Sequence, residues 1–139
     1  MIEILRKLLE PYNFIDFALL FGSYAKGKQT FLSDIDIAIF TNRSIDLFEQ
    51  GNLISLLEEN LNKKVDLILL NNLEKKDAKM AFNIVSNHKV ILNRSNKKYV
   101  DFKADTYKYY FDLQPMYEMF DKALKKRLKS GTYGKIKTS

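Results

Sequence analysis

Phe17-Ala18-Leu19-Leu20-Phe21 is the longest uninterrupted apolar run in this chain of 139 residues, and Gly22 stops it. Five apolar residues in a row, with no polar alternation, have the length and texture of a strand covered on both faces. A sheet that needs cover on both sides needs helices on both sides, and the flanking sequence supplies them. Ile2 to Leu9 spaces its apolar residues at helical intervals and ends before Pro11. Residues 45 to 61 repeat that spacing with Ile45, Leu47, Phe48, Leu53, Ile54, Leu56, Leu57 and Leu61, with Gly51 as a weak point. Asp34 to Phe40 alternates polar and apolar up to Ala38, Val65 to Leu70 reads as a third strand, residues 74 to 87 read as a helix, and His88 to Leu92 as a short edge strand. The pattern is that of an α/β fold with a small mixed sheet flanked by helices.

The same run bounds what else the chain can be. Five residues fall far short of the roughly 18 needed to cross a bilayer, so a soluble cytoplasmic protein with no membrane partner is expected. There is no cysteine, which removes thiol nucleophiles and cysteine-held zinc, and a single histidine, His88, removes any site built on several imidazoles. Nothing beside His88 suggests a ligand set, so a structural role is expected for it. At this length one domain is expected.

From Lys97 onward the texture changes. Eight of the 18 aromatics fall between Tyr99 and Phe120, on a helical stretch that Pro115 is expected to kink or break. Tyr107, Tyr109, Tyr110 and Tyr117 cannot all face one core from a single helix, so some are expected on a partner surface. The spacing places residues 1–96 in a core, 97–130 in a C-terminal helical segment packing on that core or on a partner, and 131–139 in a flexible tail after Gly131. Charge divides at the same place. The formal charge is +6, yet residues 1–93 hold 11 basic against 12 acidic residues, while 94–139 hold 12 against 5. The excess, including Lys122, Lys125, Lys126, Arg127 and Lys129, belongs to a docking segment. No base-stacking or groove-reading motif accompanies it, so direct nucleic-acid binding is not expected.

The chemistry is concentrated in Gly22-Ser23, ten further residues, Asp34-Ile35-Asp36, and Asp66 on the following strand. Side chains alternate along a strand, so Asp34 and Asp36 share one face and Ile35, Ile37 and Ile39 the other. If the third strand neighbours the second, Asp66 joins them. Three like charges on one patch repel unless a cation is present, and hard oxygen ligands suit Mg²⁺. A glycine at a strand end lets a ligand approach the backbone, and Ser23 is expected to cap a helix whose free N–H groups face an anion. A carboxylate-held metal opposite a phosphate cradle suits transfer of a nucleotidyl group from a nucleoside triphosphate.

The stretch GSYAKGKQTFLSDIDIAIF, with Asp66 downstream, resembles the signature of the polymerase-beta-like nucleotidyltransferase superfamily. The size, Ser33 before Asp34, the Ala25-Lys26-Gly27 turn and the aromatic C-terminal segment are similar to its minimal members, the antitoxins paired with HEPN-domain ribonuclease toxins. The resemblance implies that Gly22 and Ser23 hold the triphosphate of ATP, and that Asp34 and Asp36 bind two Mg²⁺. Asp66 is then the third metal ligand and helps deprotonate the acceptor. Lys26 stands where many relatives carry Arg, keeping a charge for phosphate but losing the bidentate fork. The implied reaction is transfer of AMP to a tyrosine of the toxin. Two alternatives stand beside it: neutralisation by docking through the C-terminal segment without catalysis, and the same chemistry with a small-molecule acceptor.

Overall fold

The computed structural model describes residues 1–130; the expected stop at Gly131 and the tail beyond it lie outside the described residues. The elements in order are α1 (Ile2–Leu9), β1 (Ile15–Phe21), α2 (Ser23–Lys26), β2 (Ile35–Thr41), α3 (Leu47–Leu61), β3 (Val65–Leu69), α4 (Leu73–Lys76), α5 (Ala78–Ser86), β4 (Lys89–Asn93) and α6 (Asn96–Ser130). The four strands form one mixed sheet in the order β3-β2-β1-β4, with β2 and β3 parallel and the other pairs antiparallel. The expected α/β class and small mixed sheet are therefore observed. Among the described residues no helix is long and apolar enough to cross a membrane.

The apolar run at β1 is central in the sheet and covered on both sides, as its sequence requires. On one face Ala18, Leu20, Ile35, Ile37 and Ile39 pack with Leu5 and Leu9 of α1 and Leu53 and Leu57 of α3. On the other, Phe17, Leu19, Phe21 and Ala38 pack with Ala81, Ile84 and Val85 of α5 and Phe102 of α6. Arg94 fastens the sheet's edge to the N-terminal turn, its guanidinium donating to the carbonyls of Tyr12 (2.7 Å), Ile15 (3.1 Å) and Glu10. His88 is structural: Nδ1 lies 3.0 Å from the Ile84 and Val85 carbonyls at the end of α5, and Nε2 lies 2.7 Å from the Tyr99 hydroxyl.

Local chemistry sets the boundaries that periodicity missed. The helix expected over 74–87 is broken at Asp77, whose extended backbone and side chain, accepting from the Met80 N–H at 3.1 Å, start α5 afresh. Leu47 and Phe48, counted as apolar helix positions, are both 83% exposed. Asp46 and Glu49 form a reciprocal capping box that fixes where α3 starts and turns those two residues outward.

Of the kink or break expected at Pro115, the structure excludes the break. Helix α6 runs from Asn96 through Pro115 to Ser130, 35 residues or roughly 50 Å at helical rise. Pro removes one N–H and leaves the carbonyl of residue 111 without its helical donor. Phe111 is 54% exposed, so water can reach that carbonyl. The N-terminal turns of α6 lie on the sheet, with the Tyr99 and Phe102 rings 5.4 and 6.2 Å from Phe17. Further along, Tyr110 stacks on Phe82 of α5 at 3.8 Å between ring centroids. From Glu118 to Lys129 every side chain is exposed. The basic run there has an acidic neighbour that a count within the run omits, because Asp121 pairs with Lys125 at 3.4 Å.

Replacing Arg94 with Ala removes three hydrogen bonds to backbone carbonyls and is expected to cost about 2 kcal/mol. Chemical denaturation of the variant against the parent measures this, and an unchanged midpoint would contradict the clamp.

Candidate active site

Three strand ends bring the site together. β1 finishes at Phe21, which pairs with Asp36 near the start of β2, and Asp36 in turn pairs in parallel register with Asp66 near the start of β3. Because side chains alternate, Asp36 shares a face with Ala38 and Phe40, and Asp66 with Ile68 and Leu70; all four of those apolar residues pack beneath α5 and α6. The carboxylates thus occupy the hydrophilic end of an otherwise apolar face.

Gly22 is where the approach is closest. Its φ of +71° and ψ of −150° belong to a region that only glycine adopts readily. A Cβ built there would fall on the Asp36 carboxylate, with Asp36 Cγ only 3.0 Å away. So the backbone of residue 22 and the side chain of residue 36 occupy adjoining space, and any side chain at 22 displaces the carboxylate. Gly22, not the expected serine, is the N-cap of α2; Ser23 is its first residue and no side chain caps the turn. The N–H groups of a first helical turn have no acceptor within the helix. Gly27, left-handed at φ +70°, ends α2 after one turn and leaves Lys26 exposed in that turn.

Burial pushes the Asp36 carboxyl above its ordinary range, and the Asp66 charge, a hydrogen bond shared with Asp66 and the Asp34 charge each push it further. Of the three expected carboxylates the structure therefore brings Asp36 and Asp66 into direct contact. Asp34 precedes β2, partly buried, within electrostatic reach of Asp36. Among the described residues no group of three acidic, histidine or cysteine side chains is gathered closely enough to enclose a metal. That suits Mg²⁺ better than an all-protein cage does, since Mg²⁺ keeps much of its hydration and is held by one or two carboxylates plus substrate phosphates. Two touching carboxylates, a third nearby and an unobstructed glycine turn fit such an ion.

The connection over 24–33 carries two apolar side chains in solvent, Phe31 and Leu32, 85% and 79% exposed at its tip. The tip is ordered by Thr30 and Ser33, which bond each other's backbones at 2.9 and 3.0 Å, and by Lys63 Nζ donating to the Phe31 carbonyl at 3.1 Å. Two adjacent apolar residues in a loop just before a paired-carboxylate strand were the visible signal.

Comparison with known proteins finds sequence likeness in the first two thirds of the chain and structural likeness over most of it. A family model described as polymerase beta, nucleotidyltransferase matches residues 3–97. A provisionally named protein adenylyltransferase of Methanocaldococcus jannaschii is 44% identical over 75 residues, spanning 51% of this chain and 86% of its own length. Another from the same organism is 49% identical over 72 residues, spanning 48% and 71%. Among solved structures, one chain of a toxin-antitoxin crystal structure with AMP-PNP is 26% identical with a TM-score of 0.74, covering 88% of this chain and 95% of that one. A chain from the complex of tri-AMPylated Shewanella oneidensis HEPN toxin with MNT antitoxin is 22% identical with a TM-score of 0.69, covering 89% and 98%, and shares the fold.

Two outcomes test this site. Because the folded chain binds the Asp36 proton more tightly than the unfolded chain, the Asp36 contribution to stability falls as pH rises from the ordinary carboxylate value through the raised one. Without metal, Asp36→Asn is therefore expected to melt higher than the parent at neutral pH, and the gap to narrow on acidification; a constant gap would contradict the pairing. Gly22→Ala is expected to cost about 2 kcal/mol from the positive φ and the displaced carboxylate together, measured by denaturation.

Proposed function

The chain belongs to the polymerase beta nucleotidyltransferase family, and we propose that it transfers AMP from ATP to a tyrosine hydroxyl of a HEPN-domain toxin, which it thereby neutralises as an antitoxin in the cytoplasm. The observation that supports this reading is the contact between the glycine turn and the carboxylate pair. It sets a place for phosphate beside a place for a cation. Similarity over most of the chain to a toxin-antitoxin component crystallised with AMP-PNP, and to relatives named for protein adenylylation, supports the choice of nucleotide and acceptor.

In this reading the triphosphate lies along the first turn of α2, with the backbone N–H groups of residues 23 and 24 and the Lys26 ammonium toward its oxygens. Asp34, Asp36 and Asp66 would hold two Mg²⁺, which would supply charge neutralisation on the triphosphate and a lowered pKa for the attacking hydroxyl. The sheet order separates the two reactants: the triphosphate sits at the β1 end, and the acceptor enters at the β3 end beside Asp66. The tyrosine oxygen forms a bond to the α-phosphorus. The bond from that phosphorus to the bridging oxygen breaks, pyrophosphate leaves with the electron pair, and Asp66 accepts the phenolic proton. Phe31 and Leu32 stand on the acceptor side, tied to Lys63 three residues before Asp66.

A second reading is favoured by α6. Phe111, Met116, Met119, Phe120, Leu124 and Leu128 are all 43% or more exposed on one helix that leaves the core. An apolar, basic helix of that kind can neutralise a partner by docking alone, with residues 97–130 as the docking segment.

Incubation with ATP, Mg²⁺ and a HEPN-domain toxin, followed by mass spectrometry of the toxin, separates the two. Transfer predicts AMP-sized increments on a tyrosine that fall by roughly 100-fold or more in Asp36→Asn. Neutralisation that persists undiminished in Asp36→Asn, with no increment in the parent, would establish docking instead.

A further inference from the structure

A cavity of about 450 Å³ opens at the end of the sheet away from Asp36, between the end of β2, α4 and the first turns of α6. Phe40, four residues along β2 from Asp36, lines it, which sets the two sites roughly 13 Å apart at strand rise. Its wall holds one buried carboxylate, Glu74. This residue is only 6% exposed, and among the described residues no donor reaches its carboxylate except its own backbone N–H. A carboxylate largely withdrawn from water and held only by its own backbone favours a cationic partner.

The charges around it do not relieve that cost. Asp105 on α6 also lines the cavity, and its charge opposes that of Glu74; Asp101 stands one turn earlier. The basic residues of the rim are turned to other partners. Lys98 pairs with Asp16 at 2.9 Å and Lys97 with Asp101 at 3.4 Å, while exposed Lys75 has the weakest influence on Glu74 of any group acting on it. Burial and Asp105 together push the Glu74 carboxyl upward.

The apolar wall is aromatic. Phe40 and Phe102 face the cavity with ring centroids 6.1 Å apart, and Lys98 Nζ already lies 5.9 Å over the Phe40 ring. Such faces accept an aliphatic stem or a cation. Glu74 and Asp105 stand on separate helices, α4 and α6. A wider cation with several donors can span them.

We propose that this cavity binds an organic cation, a guanidinium or primary ammonium on an aliphatic stem, pairing with Glu74 and Asp105 while the stem lies against Phe40 and Phe102. The inference is independent of the nucleotidyl-transfer reading, because it uses none of Gly22, Asp34, Asp36 or Asp66. Two sources supply that chemistry, a basic side chain of a partner protein or a free polyamine.

Titration of the full chain with N-acetyl-arginine amide and with spermidine, followed by calorimetry and amide NMR, tests it. Saturable one-to-one binding is expected, with shifts centred on Phe40, Asn71 and Phe102. Affinity is expected to fall about tenfold in Glu74→Gln or in Asp105→Asn, the second on an exposed helix face, and to hold in Asp36→Asn. Tighter binding of the arginine amide assigns the site to a partner's side chain, and tighter binding of spermidine assigns it to free polyamine; either supports the proposal. No saturable binding in the millimolar range, affinity unchanged in both cavity variants, or loss in Asp36→Asn would overturn it.

Discussion

A backbone without a side chain pressed against a half-buried carboxylate is the contact on which the site depends. Gly22 holds a conformation closed to other residues so that Asp36 can occupy the space its Cβ would fill. That carboxylate also touches Asp66 across a parallel strand pair. None of this favours folding in isolation: the glycine loses more conformational freedom on folding than other residues, and the carboxylates repel. The rest of the sheet tolerates the arrangement because its apolar run, covered on both faces, supplies the burial that offsets it. The repulsion is of the kind that a cation at the pair would relieve.

Much of this was legible in the sequence because it rests on period-two alternation and on residue types with one dominant use. The alternation of Asp34, Asp36 and Ala38 against Ile35, Ile37 and Ile39 required the carboxylates to face away from the α1–α3 core. The glycine after an apolar run marked the turn. What alternation cannot reveal is a contact between side chains on different strands, so the closeness of Asp36 to Asp66 and the greater distance of Asp34 needed the strand order and register. The break at Asp77 and the outward turn of Leu47 and Phe48 follow from capping, a side-chain hydrogen bond that overrides apolar spacing within one turn. Glu74 was hidden for a similar reason. Nothing in the sequence LEKKD separates the one acid that α6 covers from its exposed neighbours.

Helix α6 shows how far a single element can serve two surroundings. Its first half is core, through Tyr99, Phe102 and the stack of Tyr110 on Phe82. Beyond Tyr117 it is an exposed, basic and apolar rod. Pro115 lies at that change and costs one backbone hydrogen bond where water can replace it. Among the described residues the C-terminal charge excess therefore sits on a surface distinct from the acidic site.

The Asp36–Asp66 pair and the Gly22 turn are proposed to hold a metal-bound nucleoside triphosphate. A crystal structure of the chain with Mg²⁺ and a non-hydrolysable ATP analogue tests this most directly. The account predicts Mg²⁺ about 2.1 Å from oxygens of both carboxylates, with phosphate oxygens on the first turn of α2. A nucleotide bound elsewhere, with no metal at Asp36 and Asp66, would contradict it.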